Sequence, residues 1–405
     1  MYYLTDWTKR VDFDQLRDLR LQAARSAMRD AGLDAILVFK YENTRQVAGL
    51  RPLWFPLAQL RNAVVMTPDS DVILFVTGGD HAHRRQTMYW LKPDNVRPLA
   101  ALEEPEIIPK ALPAIAQVLR ELNAVDGKIG IDTINLFVLE ALQQELPDAT
   151  FVDCDTVLRQ ARLIKNAEEI KLMRHSSLCV DLGMQAAIDS IRVGVRECEI
   201  LGEAMRTMYG CGMEISQCSS IVASGENLAP LTRFASDRQV RYGDLVFMDM
   251  GGCFNGMFAE STRTVCCGEP NDMQRRIAEA VYAAMVAAVR AMKPGNTNED
   301  VSRAAQATYR QYGFEQYALR TVLGHSIGLA GWEPPTLGDP AFTGSIFKLK
   351  PGMVFSIEPT VIIPDVPGGG GIRLEDEILV TDLGPELLTR APLDRRIYPS
   401  VRLEI

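Results

Sequence analysis

The chain has 405 residues, a net charge of -9 and 47% hydrophobic residues. That length exceeds one ordinary core and predicts two domains, while the acidic balance without a basic tail argues against nucleic-acid or anionic-membrane partners. No apolar stretch is long enough to span a bilayer, the start Met1–Arg10 is too polar for a secretory leader, and the eight cysteines lack CxxC spacing, so a cytoplasmic protein with buried free thiols is expected.

In chain order, Phe13, Leu16, Leu19, Ala24 and Met28 repeat at helical spacing up to Gly32. Strand-like runs follow at Ala35–Phe39, Ala63–Met66 and Val72–Val76, with His81 and His83 in an expected surface loop. A helix at Ile108–Leu122 and a strand at Lys128–Asp132 complete a small α/β unit, and residues 1–164 are assigned to it. A long helix is expected from Asn166, where Ala167-Glu168-Glu169 places negative charge at its N-terminus. His175 lies on that helix, with a solvated or capping role expected. Helices at Val195–Tyr209, Asp272–Met292 and Asn298–Tyr312, with strands at Val354–Ile363 and Ile372–Val380, make residues 165–405 an α+β domain. The run Gly368–Gly371 reads as a tight loop between two strands, because it lacks the strand-to-helix setting of a phosphate loop.

Four segments of this second domain put carboxylates where strand cores should be apolar. They are Asp244-Leu-Val-Phe-Met-Asp249-Met-Gly251, Met257-Phe-Ala-Glu260-Ser-Thr-Arg-Thr264, Val354-Phe-Ser-Ile-Glu358-Pro and Ile372-Arg-Leu-Glu375-Asp-Glu-Ile-Leu379. The Asn255-Gly256 turn signal makes a hairpin of the first two and brings Asp249 near Glu260. Between the pairs lies a lone imidazole in Gly324-His325-Ser-Ile-Gly328. An unpaired buried carboxylate costs several kcal/mol, so four of them call for a common partner. A divalent cation is that partner, one ion or two, and the oxygen-rich set with one nitrogen suits Mn, Fe, Co or Zn. The competing expectation pairs each acid with Arg263, Arg373 or solvent.

In order and context, Asp249, Glu260, His325, Glu358 and Glu375 resemble the metal ligands of the pita-bread superfamily, which includes methionine aminopeptidase, aminopeptidase P, prolidase and creatinase. The phrases Ser224-Gly-Glu-Asn227, Gly324-His-Ser-Ile-Gly-Leu329, Pro351-Gly-Met and Ile372-Arg-Leu-Glu-Asp376 add to the likeness. The resemblance implies a pita-bread catalytic domain preceded by a creatinase/prolidase-like α/β domain. Two departures bear on function. Glu260 stands where the family has aspartate, and Thr232 and Trp332 stand where peptidases of the family have histidines that hold the peptide carbonyl.

These departures favour a metal-dependent enzyme acting on a small polar metabolite, by C–N hydrolysis or by a dimethylsulfoniopropionate-lyase-like elimination. The alternatives are an Xaa-Pro dipeptidase with altered donors and a metal-free C–N hydrolase like creatinase or ectoine hydrolase. Glu358 is expected to shuttle protons. Arg373 is expected to pair with Glu375 on the same strand face or to clamp a substrate carboxylate. Thr232 and Trp332 would shape the pocket. By resemblance to creatinase-like dimers, the N-terminal domain of one subunit closes the other's site, with Arg51 and Trp54 as candidate contacts and His81 and His83 as weaker ones.

Overall fold

In the computed structural model the described residues are 9–52, 59–216, 220–400 and 402–403. The chain forms two compact units, Val11–Leu163 and Ile164–Ile405, the latter also taking in Met1–Arg10.

The N-terminal unit runs α1 (Phe13–Asp30), β1 (Ala35–Val38), α2 (Tyr41–Ala48), β2 (Asn62–Met66), β3 (Ile73–Thr77), α3 (Gly78–Thr87), β4 (Val96–Leu99), α4 (Ile108–Glu121), β5 (Lys128–Ile131), α5 (Leu136–Glu145), β6 (Thr150–Asp153) and α6 (Asp155–Ala161). Its sheet has the order β4-β3-β2-β1-β5-β6. Alternation across the strands feeds two cores. Leu37, Val65 and Phe75 join Leu112 and Ile115 of α4 on one face, while Ile36, Val64 and Leu74 join Ala24 and Met28 of α1 on the other. Burial on both faces explains why these strands read as unbroken apolar runs. The expected loop after β3 is instead helix α3. It holds His81, whose Nε2 lies 2.9 Å from the Val96 carbonyl, and His83, which is exposed. Ala82 is its one apolar side chain, too little for periodicity to mark a helix.

The C-terminal unit begins with α7 (Ala167–Ser190) and α8 (Glu197–Gly210). The side chain of Asn166 accepts from the Glu169 amide, and Glu169 accepts from the Asn166 amide, a reciprocal cap that fixes the start of α7. Next come β7 (Ile215–Ser216), β8 (Ile221–Ser224), β9 (Leu245–Phe254), β10 (Met257–Cys266), α9 (Asp272–Ala291) and α10 (Asn298–Tyr312). The remaining elements are β11 (Gly324–Ser326), β12 (Glu333–Leu337), α11 (Pro340–Thr343), β13 (Val354–Ile357), β14 (Thr360–Ile362), β15 (Gly371–Arg373), β16 (Asp376–Thr381) and β17 (Gly384–Leu387). One sheet is ordered β10-β9-β7, with β8 also on β9; a second is β12-β11-β13-β16-β17; β14 and β15 form a two-stranded ribbon. No helix among the described residues is long and apolar enough to cross a membrane.

The hairpin β9–β10 is closed by Asn255 and Gly256, both with positive φ (47° and 81°), as a two-residue turn matching strand twist requires. That turn pairs Phe254 with Met257 and so sets Thr262 opposite Asp249 and Glu260 opposite Gly251. Asp249 and Glu260 are therefore diagonal neighbours on one face.

Two expected strands are each broken in two. Val354–Ile363 divides into β13 and β14, which belong to different sheets, with Glu358 and Pro359 at the break. Ile372–Val380 divides likewise into β15 and β16, with Glu375 between them. Apolar patterning reports burial, which continues through both breaks, and cannot show that the chain changes sheets.

His175 is also a correction, being 1% exposed. Its ring packs edge-on against Phe254 at 4.1 Å, and its Nε2 lies 3.5 Å from the Cys179 Sγ. The residue falls on the α7 face that covers the hairpin rather than on the solvent face. Burial lowers its pKa from 6.5 to about 4. The unfolded chain therefore takes up this proton first as pH falls. The stability that depends on neutral His175 is complete above pH 6.5 and lost between about pH 6.5 and 4. Between pH 7 and 4.5 a His175→Phe variant is expected to lose about 2–3 kcal/mol less unfolding free energy than the wild type. Urea midpoints at the two pH values measure this; equal losses would refute it. Of the thiols, Cys154, Cys179, Cys253, Cys266 and Cys267 are buried as expected, whereas Cys198 is exposed on α8.

Candidate metal centre

Asp249, Glu260, His325, Glu358 and Glu375 are all buried, none more than 7% exposed. Ligand atoms of Glu260, His325 and Glu375 lie within 4.8 Å of one another. His325 reaches the centre from β11, the middle partner of β12 and β13. Its Nδ1 lies 3.1 Å from the Ser326 carbonyl, so that nitrogen carries the hydrogen and the Nε2 lone pair faces inward in the neutral ring. Nε2 is 3.0 Å from Glu260 Oε1 and 3.9 Å from Glu358 Oε1.

Glu375 is held by two hydroxyls. Thr262 Oγ1 donates to its Oε2 at 2.5 Å, and Ser356 Oγ donates to its Oε1 at 2.5 Å. Backbone hydrogen bonds between Thr262 and Glu375 (3.1 and 3.3 Å) also tie β10 to the break before β16. The Glu260 amide donates to Glu377, whose other carboxyl oxygen accepts from Ser177 of α7. Neither Thr262 nor Ser356 stood out in the sequence as a supporting residue. The signal was available: each is a hydroxyl in an apolar strand, two residues from a carboxylate and so on its face.

Arg373 does not pair with Glu375 as expected. Its Nη1 lies 3.2 Å from Asp249 Oδ2 and 3.0 Å from Glu358 Oε2, and its Nε donates to Thr360 Oγ1 at 2.9 Å. Strand β15 ends at Arg373, so the two-residue alternation that would put Glu375 on the same face no longer holds. The competing expectation, which paired the acids with arginines, holds in part: Arg373 pairs with Asp249 and Glu358, whereas Arg263 pairs with Asp376, outside the five, at 2.7 Å.

The electrostatics call for positive charge at one point. Burial pushes Asp249 up to about 7; Glu260 and Glu358 add to this and Arg373 opposes it. Burial and the surrounding carboxylates raise Glu375 well above the usual range. Burial alone would lower the His325 imidazole, yet Glu260 and Glu358 hold it up at about 9. A proton on Nε2 there does locally what a metal ion would do. Glu260 Oε1 is buried and makes no aligned hydrogen bond, despite its closeness to Nε2. An orphaned carboxylate oxygen, an inward imidazole lone pair and a second buried carboxylate form a donor set that fits a divalent ion.

The outer candidates are placed as follows. Trp332 is 53% exposed, with its ring 5.8 Å from that of His325. The next residue, Glu333, is buried 3.8 Å from Lys165. Thr232 is exposed on the loop after β8, next to Leu231, whose side chain packs at Gly371. Arg51 is exposed in the N-terminal unit, and its carbonyl accepts from Arg84 at 2.9 Å. Trp54 lies outside the described residues.

A mixed catalytic domain with a buried carboxylate–imidazole centre, preceded in the chain by an α/β domain, defines a metal-binding hydrolase of the pita-bread superfamily. Residues 171–382 match the profile of metallopeptidase family M24, and residues 20–164 match the creatinase/prolidase N-terminal domain. The chain belongs to metallopeptidase family M24. It is 35% identical over 263 residues to an Xaa-Pro dipeptidase of Pyrococcus furiosus, covering 65% of this chain and 73% of that one. A second Xaa-Pro dipeptidase, from Pyrococcus horikoshii, is 29% identical over 88% of this chain and 93% of its own. Among solved structures, an Xaa-Pro dipeptidase from Bacillus anthracis superposes with a TM-score of 0.79 at 28% identity, covering 93% of this chain and 98% of the other.

Proposed function

We propose that this chain is a metal-dependent hydrolase of C–N bonds in short peptides, of Xaa-Pro dipeptidase type, with altered carbonyl donors at Thr232 and Trp332. The observation that carries it is the convergence of Glu260, His325 and Glu375 ligand atoms within 4.8 Å, beside Asp249 and Glu358. The relatives named Xaa-Pro dipeptidase support the peptide substrate over the metabolite favoured by the departures at Thr232 and Trp332. The reading includes a small-molecule substrate, a cytoplasmic setting and a homodimer.

Glu260, His325 and Glu375 would hold the ion, with Asp249 and Glu358 available to the same ion or a second; Mn, Fe, Co and Zn all suit the donors. Such an ion supplies Lewis acidity and makes water nucleophilic near neutral pH. Arg373 fixes Glu358 through Oε2, which leaves Oε1 to take a proton from attacking water and return it to the leaving nitrogen. Thr262 and Ser356 hold the Glu375 carboxylate in one orientation, as outer partners of metal ligands do. Trp332 walls the His325 side with an indole donor in place of an imidazole.

The metal content of untagged protein, followed by a substrate panel with added Mn²⁺ or Co²⁺, tests this reading. Chelator-sensitive cleavage of Ala-Pro or Gly-Pro is expected, at a rate about 10²-fold below that of relatives holding both imidazoles. Failure on proline dipeptides with turnover of a small C–N or sulfonium metabolite would favour the second reading, which rests on Thr232 and Trp332. Failure to take up metal on titration would end the metal mechanism and leave the carboxylates as direct proton-transfer groups.

A further inference from the structure

The loop between β8 and β9 leaves the sheet at Ser224 and runs out past Thr232 before Ser236 brings it back. Both ends of that excursion meet one side chain. Glu197, the first residue of α8, is completely buried. Its Oε1 accepts from the Ser224 amide at 2.7 Å, the Ser224 hydroxyl at 2.8 Å and Asn227 Nδ2 at 3.1 Å. Its Oε2 accepts from the Ser236 amide at 3.1 Å and the Ser236 hydroxyl at 2.5 Å.

The carboxylate is thus saturated by five donors, three from the outgoing limb and two from the returning one. The Cys198 amide adds a bond to the Ser236 carbonyl, and Arg233 closes the loop on itself through Asn227. The loop lies over the ribbon that carries Arg373. A Cβ at Gly369 would meet the Gly225 carbonyl, and one at Gly371 would meet the Leu228 carbonyl and the Leu231 side chain. Movement of the limbs therefore reaches the strand that ends at Arg373.

We infer that Glu197 is a positioning residue: its two carboxylate oxygens clamp the limbs of the 224–236 loop and so set the position of Thr232 between them. A carboxylate suits this task because both oxygens accept, whereas an amide accepts on one side only. A glutamine would turn its carbonyl toward the three donors of the outgoing limb. Its amino group would then face the Ser236 amide and hydroxyl, which releases the returning limb alone.

Amide hydrogen exchange resolved along residues 224–236 of the full chain tests the inference, alongside metal content and steady-state kinetics. In Glu197→Gln the Ser236 amide should exchange roughly 10-fold faster while the Ser224 amide is little changed; in Glu197→Ala both should speed up. Metal content should stay at the wild-type level in both. With a proline dipeptide, KM should rise about 10-fold with kcat nearly unchanged, the mark of lost binding rather than lost chemistry. Ser236→Ala, which removes one donor from the returning limb, should repeat the glutamine pattern more weakly, so the inference stays testable if the alanine variant does not fold. Uniform exchange increases across the domain, or unchanged exchange at both limbs, would overturn it. The kinetic arm rests on the peptidase reading, whereas the exchange and metal arms do not. Absent dipeptide turnover with the expected exchange pattern would reject that reading and keep the clamp.

Discussion

A Glu375→Ala protein is expected to lose tight metal binding and, with it, activity. Glu375 offers a ligand atom to the Glu260–His325–Glu375 group and is the member most firmly held, by hydroxyls on both oxygens and by backbone bonds to Thr262. Removing an outer partner of a metal ligand costs roughly 10–100-fold in affinity or activity, so removing the ligand should exceed that. Burial and the neighbouring carboxylates make the Glu375 charge unfavourable where it stands, so the fold should tolerate its removal. Elemental analysis of the purified variant reads the metal directly, and thermal unfolding checks the fold. Wild-type metal content in Glu375→Ala would show that the ion sits elsewhere.

The second large effect is on stability. Arg263 is 2% exposed. It donates to Asp376 at 2.7 Å, to the Ala391 carbonyl at 2.8 and 3.0 Å, and to the Thr262 and Glu375 carbonyls at 2.9 and 2.8 Å. Arg263→Ala leaves a buried carboxylate without its cation and several carbonyls without donors, at an expected cost of about 3–5 kcal/mol. Because the lost donors include that of the Glu375 carbonyl, weaker metal binding should accompany the instability. The double change Arg263→Met with Asp376→Leu removes both charges and should recover most of the stability, since a buried pair is often no better than well-packed apolar residues. Urea denaturation of the three proteins measures this. An alanine variant within 1 kcal/mol of wild type would contradict the argument on the same grounds.

Much of the architecture could be read from the sequence because it depends on local signals. The Asn166 cap, the Asn255-Gly256 turn and the helix Asn298–Tyr312 each follow from a few adjacent residues. The convergence of carboxylates was legible for a different reason: acids in apolar strands are anomalous, and anomalies of one kind point to one place. What could not be read depends on partners distant in the chain. Glu197 meets donors 27 to 39 residues away, and nothing in its own helix marks it as buried. Strand alternation places Arg373 beside Glu375, and it fails because β15 stops at Arg373, two residues short of Glu375. The solvated or capping role expected of His175 rests on its place on a helix alone, although α7 has covered faces along most of its length. The exposure of Cys198 belongs to the same class of error, since residue type alone does not choose a helix face.

The two-residue turn at Asn255-Gly256 has a consequence for how this chain can vary. Side chains in the hairpin alternate with a period of two, so the ten intervening positions fix Asp249 and Glu260 to a common face only while their number is unchanged. Inserting or deleting one residue anywhere between them would turn one acid away from the centre and put an apolar neighbour in its place. Length variation should therefore be confined to other loops of the domain, and this segment should accept only substitutions.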